Sequence, residues 1–505
     1  MKSLFTKISV FFSLLIVLFS FKYADWQSKF IKLTASGKIE YAADQQGNTI
    51  PDFSRVGYHQ GDKAFPKIPV VKTISASQSD DRETIQQAID ELSKKEADKN
   101  GYRGTILLKK GSYKISSALK INASGIVLQG EGNDKDGTRL IATSKEKSSL
   151  IVVSGQGSLK EISNTRKKIT TSYVPLGATS FEIAASAGLK VGDQIVVFRP
   201  GTQNWISDLK MDQIVERQGT KQWQGGGEYD LKFERKITKI IGNTISIDNP
   251  IVMAMETKYG GGEIYKSSFE GRISEVGVEN IRFESEFAHD TDENHAWVAV
   301  EINKAENCWV KNVVSYYFAN SCVSVGKDAK YITVTDSKCF DAKSVITGSR
   351  RYSFNNDGQL NLFMNLETTE GRHDFVTGAR VLGPNVFYNC KSSKTHADIG
   401  PHHRWAVGTL YDNVSTDGQI NAQDRGKMGS GHGWSGANQV FWNCTAKEAT
   451  IQNPWVSAKN YAIGLQGKKS SGSIPDREDG EWEGQNKPGL TPKSLYTAQL
   501  NARQN

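Results

Sequence analysis

The chain has 505 residues, of which 37% are apolar, and 47 glycines stand against 12 prolines. This composition favours a glycine-punctuated β protein over a helical bundle. The formal net charge of +8 indicates a polyanionic partner, such as nucleic acid, an acidic polysaccharide or a membrane surface. Because the positive charge is dispersed and forms no dense basic block, we expect no nucleic-acid partner.

Residues 1–24 have the pattern of a secretory signal peptide. Lys2 precedes an apolar run from Ile8 to about Phe21, and the small residue Ala24 follows. An uncleaved membrane anchor is the alternative, because the cleavage site is poor. The rest of the chain has no apolar run long enough to span a bilayer. We therefore expect a secreted or periplasmic bacterial protein that does not contact a membrane after cleavage.

An amphipathic helix is predicted at 80–95, in the segment DDRETIQQAIDELSKK. Short strands with glycine corners follow at 104–115 and 125–132. A helix placed before such strands would cover the open end of a stack of coils. The apolar face of the predicted helix consists of Ile85, Ala88, Ile89 and Leu92.

Residues 156–262 interrupt the pattern of short strands. Two hairpins are predicted here, the second with a Gly242-Asn243 turn. The segment between them, 205–230, is polar, aromatic and rich in glycine. We interpret the region as a small β subdomain, inserted in an early coil and able to overhang the groove of the main fold.

Several short strands downstream each end on asparagine or aspartate. Most neighbouring members of this set are 24 residues apart. Periods in the twenties with asparagine at a corner predict a parallel β-helix, in which the side chains of successive coils stack as a ladder. The predicted ladder consists of Asn312, Asp336, Asn365, Asn389, Asn413 and Asn443.

The five cysteines are odd in number and widely spread, and they have neither disulfide-framework nor zinc spacing. We expect them to be small buried apolar residues inside the coils. They are Cys308, Cys322, Cys339, Cys390 and Cys444.

The predicted helix, the strand pair GTILLKKGSYKI and the strand IVLQGEG together resemble the first coils of the pectate-lyase-like right-handed parallel β-helix superfamily. The similarity covers about 75–155 and 275–460. It implies an all-β fold, a right-handed parallel β-helix with an N-terminal capping helix and an inserted small β subdomain. It leaves the reaction open, because the superfamily includes lyases, hydrolases, epimerases and phage tailspikes.

The expected organisation of the mature chain follows from these elements. It comprises an N-terminal extension (25–75), first coils with the capping helix (76–155), the inserted subdomain (156–262), a main β-helix with the active-site groove (263–465) and a C-terminal tail or cap (466–505).

Four segments repeat a basic or imidazole side chain before an aromatic one: RYSF (351–354), RHDF (372–375), HHRW (402–405) and GHGW (431–434). If each is one rung, Tyr352, His373, His403 and His432 form one column, and Phe354, Phe375, Trp405 and Trp434 form a second. Residues two apart on a strand share a face, so we expect both columns on the outer surface. Asp374 and Arg404 would then turn inward and pair. The opposite parity would place the imidazoles inside.

The clustered imidazole, phenol and guanidinium groups suit β-elimination on an acidic polysaccharide. A cation neutralises the uronate carboxylate, a base removes the neighbouring proton, and an acid protonates the departing oxygen. We expect His403 as base, with His373 or Tyr352 as acid. The carboxylate would be held by one of Arg372, Arg404 and Arg425. The remaining substrate-binding candidates are Arg351, Phe375, His402, Trp405, Lys427, His432 and Trp434.

The sequence departs from the better-known relatives that the resemblance implies. Pectate lyases of the superfamily use aspartate-bound calcium with an arginine base, and its alginate lyases use a lysine–arginine pair. No lysine stands in the ladder here, although Lys427 is near. The sequence indicates no certain cofactor, and it leaves open calcium bound at Asp398, Asp417 and Asp424.

Other functions on the same scaffold stay open. They are a glycoside hydrolase, a uronate epimerase, and a non-catalytic glycan-binding or structural protein. The most direct prediction is a monomeric, secreted polysaccharide lyase.

Overall fold

A computed structural model describes residues 25–77 and 79–505. The predicted signal peptide, 1–24, lies outside the described residues. In the two described ranges, no helix is long and apolar enough to cross a membrane.

The strands wind into a parallel β-helix, which confirms the predicted all-β fold. Each coil adds strands to three long parallel sheets. The first sheet contains Val70–Ile74, Gly104–Leu108, Ile126–Gly132, Gly277–Ser285, Trp309–Lys311, Thr333–Thr335, Leu362–Met364, Leu382–Tyr388, Ala406–Asp412, Gly436–Ala437, Val440–Trp442, Tyr461–Ile463 and Glu481–Glu483. The second contains Gly111–Ile115, Thr138–Ala142, the second half of Gly277–Ser285, Val314–Tyr316, Lys338–Phe340, Glu367–Thr369, Lys391–Ser393, Ser415–Thr416, Thr445–Ile451 and Gln466–Lys469. The third contains Leu119–Ile121, Ser148–Ser154, Ala296–Asn303, Ser321–Val325, Phe354–Asn356, Phe375–Thr377, Asp398–Pro401 and Gln419–Ala422.

Stacked side chains fill the interior of the coils. The rings of Phe363, Phe387, Tyr411 and Phe441 follow one another with centroids 4.8, 5.3 and 4.8 Å apart. All four are fully buried, so each coil contributes its aromatic area to one continuous apolar core. The five cysteines are buried and unpaired, as predicted.

The predicted asparagine ladder is confirmed. Asn389 donates from Nδ2 to Oδ1 of Asn365 at 2.7 Å, and Asn365 donates to Asp336 at 3.0 Å. Asn443 donates to Asn413 at 2.8 Å. Each of these residues has a φ of 52–55°. Asparagine and aspartate tolerate this left-handed conformation better than other non-glycine residues, so they turn the same corner in successive coils.

Helices and terminal segments cover the ends and one face of the coils. The predicted capping helix spans Arg82–Ser93 and buries its apolar face against the first coils. The first strand, Trp26–Gln27, pairs with Leu490–Thr491 near the other terminus. The hairpin Ile31–Leu33 and Ile39–Tyr41, the 3-10 turn Tyr58–Gly61 and the last helix, Leu495–Gln504, complete this layer. The C-terminal segment is therefore an ordered cap over the outer face of the first sheet.

An antiparallel subdomain is inserted between two neighbouring rungs. Ser148–Ser154 pairs directly with Ala296–Asn303, although the whole insertion separates them in sequence. The predicted Gly242-Asn243 hairpin is present. The antiparallel sheet includes Glu263–Ser268 and so extends beyond the expected limit at 262. The elements of the insertion are Lys160–Glu161, Lys167–Lys168, Tyr173–Val174, Ser180–Glu182, Gln194–Arg199, helix Gln203–Asp208, Leu231–Ile241, Thr244–Ile247, Met255–Glu256, 3-10 turn Thr257–Tyr259 and Glu263–Ser268. After the insertion, the short strand Ile273–Ser274 pairs with Ala305–Glu306.

A buried ion cluster ties the subdomain to the coils. Glu234, on a subdomain strand, accepts hydrogen bonds from both terminal nitrogens of Arg272 at 2.7 and 2.8 Å. Nζ of Lys330, on a coil, donates to the same carboxylate at 2.8 Å. These two cations hold the pKa of Glu234 at about 2, against the opposing effect of burial. The cluster therefore links the subdomain to the coils through buried side chains.

Candidate functional site

The four repeated segments form two pairs of rungs and not four consecutive rungs. Phe354 pairs with Phe375, but the next rung is Asp398–Pro401, whose Gly400 lies beside Val376. The segments 402–405 and 431–434 pair with each other, since the amide of Trp405 donates to the carbonyl of Trp434 at 2.9 Å. The expected single stack was wrong. The strand Asp398–Pro401 occupies the rung next to Phe375–Thr377, where 402–405 was expected.

The predicted outer aromatic track is also wrong. Phe354 and Phe375 stack inside the coils with centroids 6.1 Å apart. Trp405 and Trp434 are fully buried in the core between the subdomain and the first sheet. Trp405 packs there at 5.0 Å from Trp205. Phe375, Trp405 and Trp434 are therefore packing residues, and a polymer on the surface does not reach them.

Asp374 and Arg404 do not pair. The buried Asp374 carboxyl accepts hydrogen bonds from the hydroxyls of Ser353, Thr368 and Thr395, and burial raises its pKa. Arg404 donates instead to the carbonyl and hydroxyl of Ser430 at 3.0 and 2.9 Å. Arg404 and Trp405 have φ values of 54° and 65°, so strand alternation does not apply to them.

Four imidazoles and one phenol form a continuous cluster with His402 at its centre. The ring of His402 lies 4.3 Å from His373 and 5.5 Å from Tyr352 between centroids. It lies 5.1 Å from both His403 and His432. Tyr352 also meets His373 edge-on at 5.1 Å. The structure thus brings together the predicted imidazoles, but places His402, and not His403, beside Tyr352.

A buried carboxylate anchors this cluster. Nδ1 of His373 donates to the backbone carbonyl of Asp398 at 3.0 Å and lies 3.3 Å from its carboxylate. Arg425 donates from Nη1 to the same carboxylate at 3.0 Å. Arg425 and His373 together hold the pKa of Asp398 well below its usual range, although burial opposes them. Because a carbonyl only accepts, His373 carries a proton on Nδ1. Its buried Nε2 has no hydrogen-bond partner among the described residues.

Burial and nearby arginines keep the other imidazoles neutral. Burial is the main cause that lowers the pKa of His402, with His373 and Arg425 adding to it. The pKa of His403 is lowered to about 3 by burial, His432 and Arg404. That of His432 is lowered to about 4 by burial and Arg425. Burial raises the pKa of Tyr352. At neutral pH the rings of His402, His403 and His432 are therefore uncharged, and the Tyr352 phenol is protonated.

Several nitrogens of the cluster have no hydrogen-bond partner among the described residues. They are buried, which makes an unmet hydrogen bond costly unless a bound group supplies it. A site that receives polar ligand atoms accounts for such a concentration. These nitrogens are Nε2 of His373, Nδ1 of His402, His403 and His432, and Nε of Arg425.

The remaining predicted cations differ in accessibility. Arg351 is buried and donates to the backbone carbonyls of Ser344 and Glu370, so it serves the coil and not a ligand. Arg372 is half-buried and donates to the carbonyl of Gly348. Lys427 is exposed at the edge of the site.

The suggested calcium ligands do not converge. Asp398 is paired with Arg425, and the buried Asp424 accepts from Nε of Arg477 at 2.7 Å. Asp417 accepts from backbone amides. Over the described part of the chain, no three histidine, cysteine or acidic side chains are placed to hold a metal ion.

Two cavities lie beneath the subdomain, separated by Glu234. Their volumes are about 850 and 660 Å³. The smaller one is lined by Asp328 and Asp357, which lie on neighbouring turns of the coil, and by Glu228 of the subdomain. Burial raises the pKa of Asp357. Sequence reasoning did not find this pair of carboxyl groups, because the two residues become neighbours only when the coils stack.

Comparison with known proteins gives similarity of structure without similarity of sequence. No family model matches the chain, and no curated protein matches it. ORF18 of Geobacillus virus E2 is 13% identical, with a TM-score of 0.37; the match covers 82% of this chain and 59% of that one. The chain thus spans less than two thirds of the length of ORF18. The parallel β-helix assignment rests on the strand pairing described above.

Two solved enzymes also share low sequence identity and a low TM-score with this chain. The iota-carrageenase complexed to iota-carrageenan fragments is 9% identical, with a TM-score of 0.38 over 83% of this chain and 90% of that one. The A-module of the Azotobacter vinelandii mannuronan C-5 epimerase AlgE6 is 11% identical, with a TM-score of 0.30 over 81% and 90%. The resemblance to pectate-lyase-like proteins in particular stays a prediction.

Proposed function

We propose that the protein is a polysaccharide lyase that cleaves a uronate-containing acidic polysaccharide by β-elimination, outside the cell or in the periplasm. The observation that carries the proposal is the contact of Tyr352 with the imidazoles of His373 and His402 beside the Arg425–Asp398 pair. The reaction needs a base, an acid and a cation within the span of one sugar ring. This cluster contains all three kinds of group.

His402 is the proposed base. In the free protein its pKa is depressed by burial and neighbouring positive charge, so the ring is neutral but weakly basic. A bound uronate carboxylate compensates the positive charge of Arg425 and raises the pKa of the imidazole. The substrate therefore activates the group that removes its own α-proton. This assignment moves the base from His403, whose ring contacts His402 and His432.

Tyr352 is the proposed acid. Its raised pKa keeps the hydroxyl protonated, and its ring lies 5.5 Å from that of His402. The pair can therefore act on the same glycosidic linkage: His402 takes the proton beside the carboxylate, and Tyr352 gives one to the leaving oxygen as the carbon–oxygen bond breaks. Arg425, with its unpartnered Nε, stabilises the charge that develops on the carboxylate.

The product distinguishes this reaction from hydrolysis. The protein without its predicted signal peptide would be incubated with alginate, pectate, glucuronan and glycosaminoglycans, with and without a chelator. Ultraviolet absorbance of unsaturated uronate on one substrate is the expected result. Retention of activity in chelator is also expected, since the proposed neutralising group is an arginine.

A glycoside hydrolase is the second candidate, and Asp357 favours it. This carboxyl lines the 660 Å³ cavity together with Asp328, and its raised pKa suits a general acid. Paired carboxyl groups across a glycan groove are what hydrolysis requires. New reducing ends without ultraviolet absorbance, abolished in D357N and not in H402N, would establish this candidate in place of the lyase.

A further inference from the structure

The inserted subdomain reaches the imidazole cluster through a glycine-rich loop, Gly426–Gly433. The backbone amide of Lys221 donates to the carbonyl of Ser430 at 3.1 Å. Nε1 of Trp223 donates to the carbonyl of Gly431 at 3.4 Å. Arg217 donates to the carbonyl of Gly429. Three subdomain residues thus hold the loop that carries His432.

Two glycines allow this close approach. A Cβ at Gly429 would lie 2.0 Å from Cε1 of His432, and one at Gly433 would lie 2.5 Å from Sδ of Met211. Both have a φ of 56°, which other residues rarely adopt. The imidazole of His432 therefore contacts the loop backbone at Gly429, and the subdomain packs against the loop at Gly433.

Positive charge from several elements meets at this point. Arg217 comes from the subdomain, Arg404 from the segment beside the first sheet, and Arg425 directly precedes the loop. All three lower the pKa of His432. Arg425 is paired with Asp398 through Nη1, and its Nε has no partner among the described residues. For Arg217 and Arg404, the described chain offers no carboxylate within 4.0 Å. Their charges are left for a ligand.

The cluster also presents buried polar atoms to such a ligand. Nδ1 of His403 and Nδ1 of His432 have no partner among the described residues, and their rings lie 4.9 Å apart. The Arg425 side chain is 10% exposed, and its Nε is also unpartnered. Arg217 and Arg404 are bonded to the neighbouring carbonyls of Gly429 and Ser430. Guanidinium groups so placed, with an imidazole nitrogen that can carry a proton, can bind an oxyanion.

We propose that Arg217, Arg404, His403 and His432 form a second anion subsite, which holds the carboxylate or sulfate of a sugar next to the one that is cleaved. The inference rests on the proposed function and deepens it. The inserted subdomain then determines specificity, because Arg217 makes the protein recognise two neighbouring acidic sugars. The preferred polymer carries negative charge on consecutive residues.

The test compares R217Q with K239Q, which removes an exposed lysine from another part of the same subdomain. Binding is measured by titration calorimetry in a Y352F background, so that turnover does not consume the ligand. The probes are hexagalacturonate, which carries only carboxylates, and an iota-carrageenan hexasaccharide, which carries only sulfates. R217Q should lower the affinity for the preferred probe about 10-fold and reduce the salt dependence of binding. K239Q should bind as the parent does, and R217K should recover part of the loss.

The outcome separates the subsite from the reaction. The probe whose affinity falls in R217Q identifies the anion as carboxylate or sulfate. Either result supports the subsite. If R217Q and K239Q bind both probes equally, or if the parent binds neither, the subsite is overturned. Loss of binding in R217Q, with no elimination by the wild type on any polymer, would keep the subsite and refute the lyase. In an active wild type, R217Q should raise KM and leave kcat unchanged.

Discussion

The rings of His373 and His402 lie 4.3 Å apart, although they belong to different coils. The strand Asp398–Pro401 connects them: His373 is bonded to its first residue, and His402 follows its last. Asp398 therefore orients one imidazole while its strand delivers the other. The base proposed here depends on this strand, which has no counterpart in the four-residue repeat visible in the sequence.

The pH dependence of the reaction should differ between the free and the bound enzyme. The imidazoles of the free protein have lowered pKa values, so the acid limb of kcat/KM should lie below pH 6.5, the ordinary range of imidazole. A bound carboxylate raises the pKa of His402, so the acid limb of kcat should lie at higher pH. Initial rates across pH 3–8 measure both limbs. Coincident limbs would refute substrate activation of the base.

Acid should destabilise the fold partly through His403. Its pKa is lowered to about 3 in the folded state, whereas an unfolded histidine titrates near 6.5. Between these values the unfolded chain binds more protons, so the contribution of this residue is present above pH 6.5 and is lost as pH falls. The loss approaches about 1.4 kcal/mol per pH unit for a fully buried group. Urea unfolding at pH 6.5 and 4.5 should show a smaller drop for H403N than for wild type, and an equal drop would contradict the account.

Glu234 should hold the subdomain in place. E234Q leaves Arg272 and Lys330, with side chains 5% and 8% exposed, with Glu306 as their shared anion at the longer distances of 3.7 and 3.5 Å. Breaking one partner of a buried ion pair costs about 3–5 kcal/mol. Hydrogen exchange should show faster opening of the strand Leu231–Ile241. The control is E228Q, which removes an exposed partner of Arg380 and should cost less than about 1 kcal/mol.

The asparagine ladder should show two separable contributions. N389A loses the 2.7 Å bond to Asn365 and places alanine, which tolerates the left-handed region less well than asparagine, at a φ of 53°. The bond and the strain each contribute about 1 kcal/mol. N389G loses only the bond, apart from the greater freedom of its unfolded chain. Thermal unfolding should therefore find N389A the less stable variant. A glycine variant less stable than the alanine variant would exclude a role for the left-handed corner.

The fold could be predicted because its signals are local and periodic. Asparagine, aspartate and glycine tolerate a left-handed corner best, so successive coils carry the same residue type at the same place. The capping helix was predicted because Ile85, Ala88, Ile89 and Leu92 recur at helical spacing, and all four are buried.

The arrangement of the site could be predicted only in part. The chemistry-bearing residues were found, because histidine and arginine are dense between 372 and 432. Their register was not, because the strand Asp398–Pro401 contains glycine and proline and shows no apolar alternation. Left-handed residues Arg404 and Trp405 then reversed the expected side-chain directions. The burial of Trp405 and Trp434 depends on where the subdomain docks, which no local pattern specifies.

The most direct test of the central claim is the elimination assay on wild type and H402N, with H396N as the matched control. His396 is exposed, pairs with Glu370 and lies in the same region of the coils. Wild type and H396N should produce unsaturated uronate at similar rates, and H402N should lower kcat by about 10²–10⁴-fold. An H402N enzyme as active as H396N would contradict the assignment of the base, and no unsaturated product from wild type on any uronate polymer would refute the lyase.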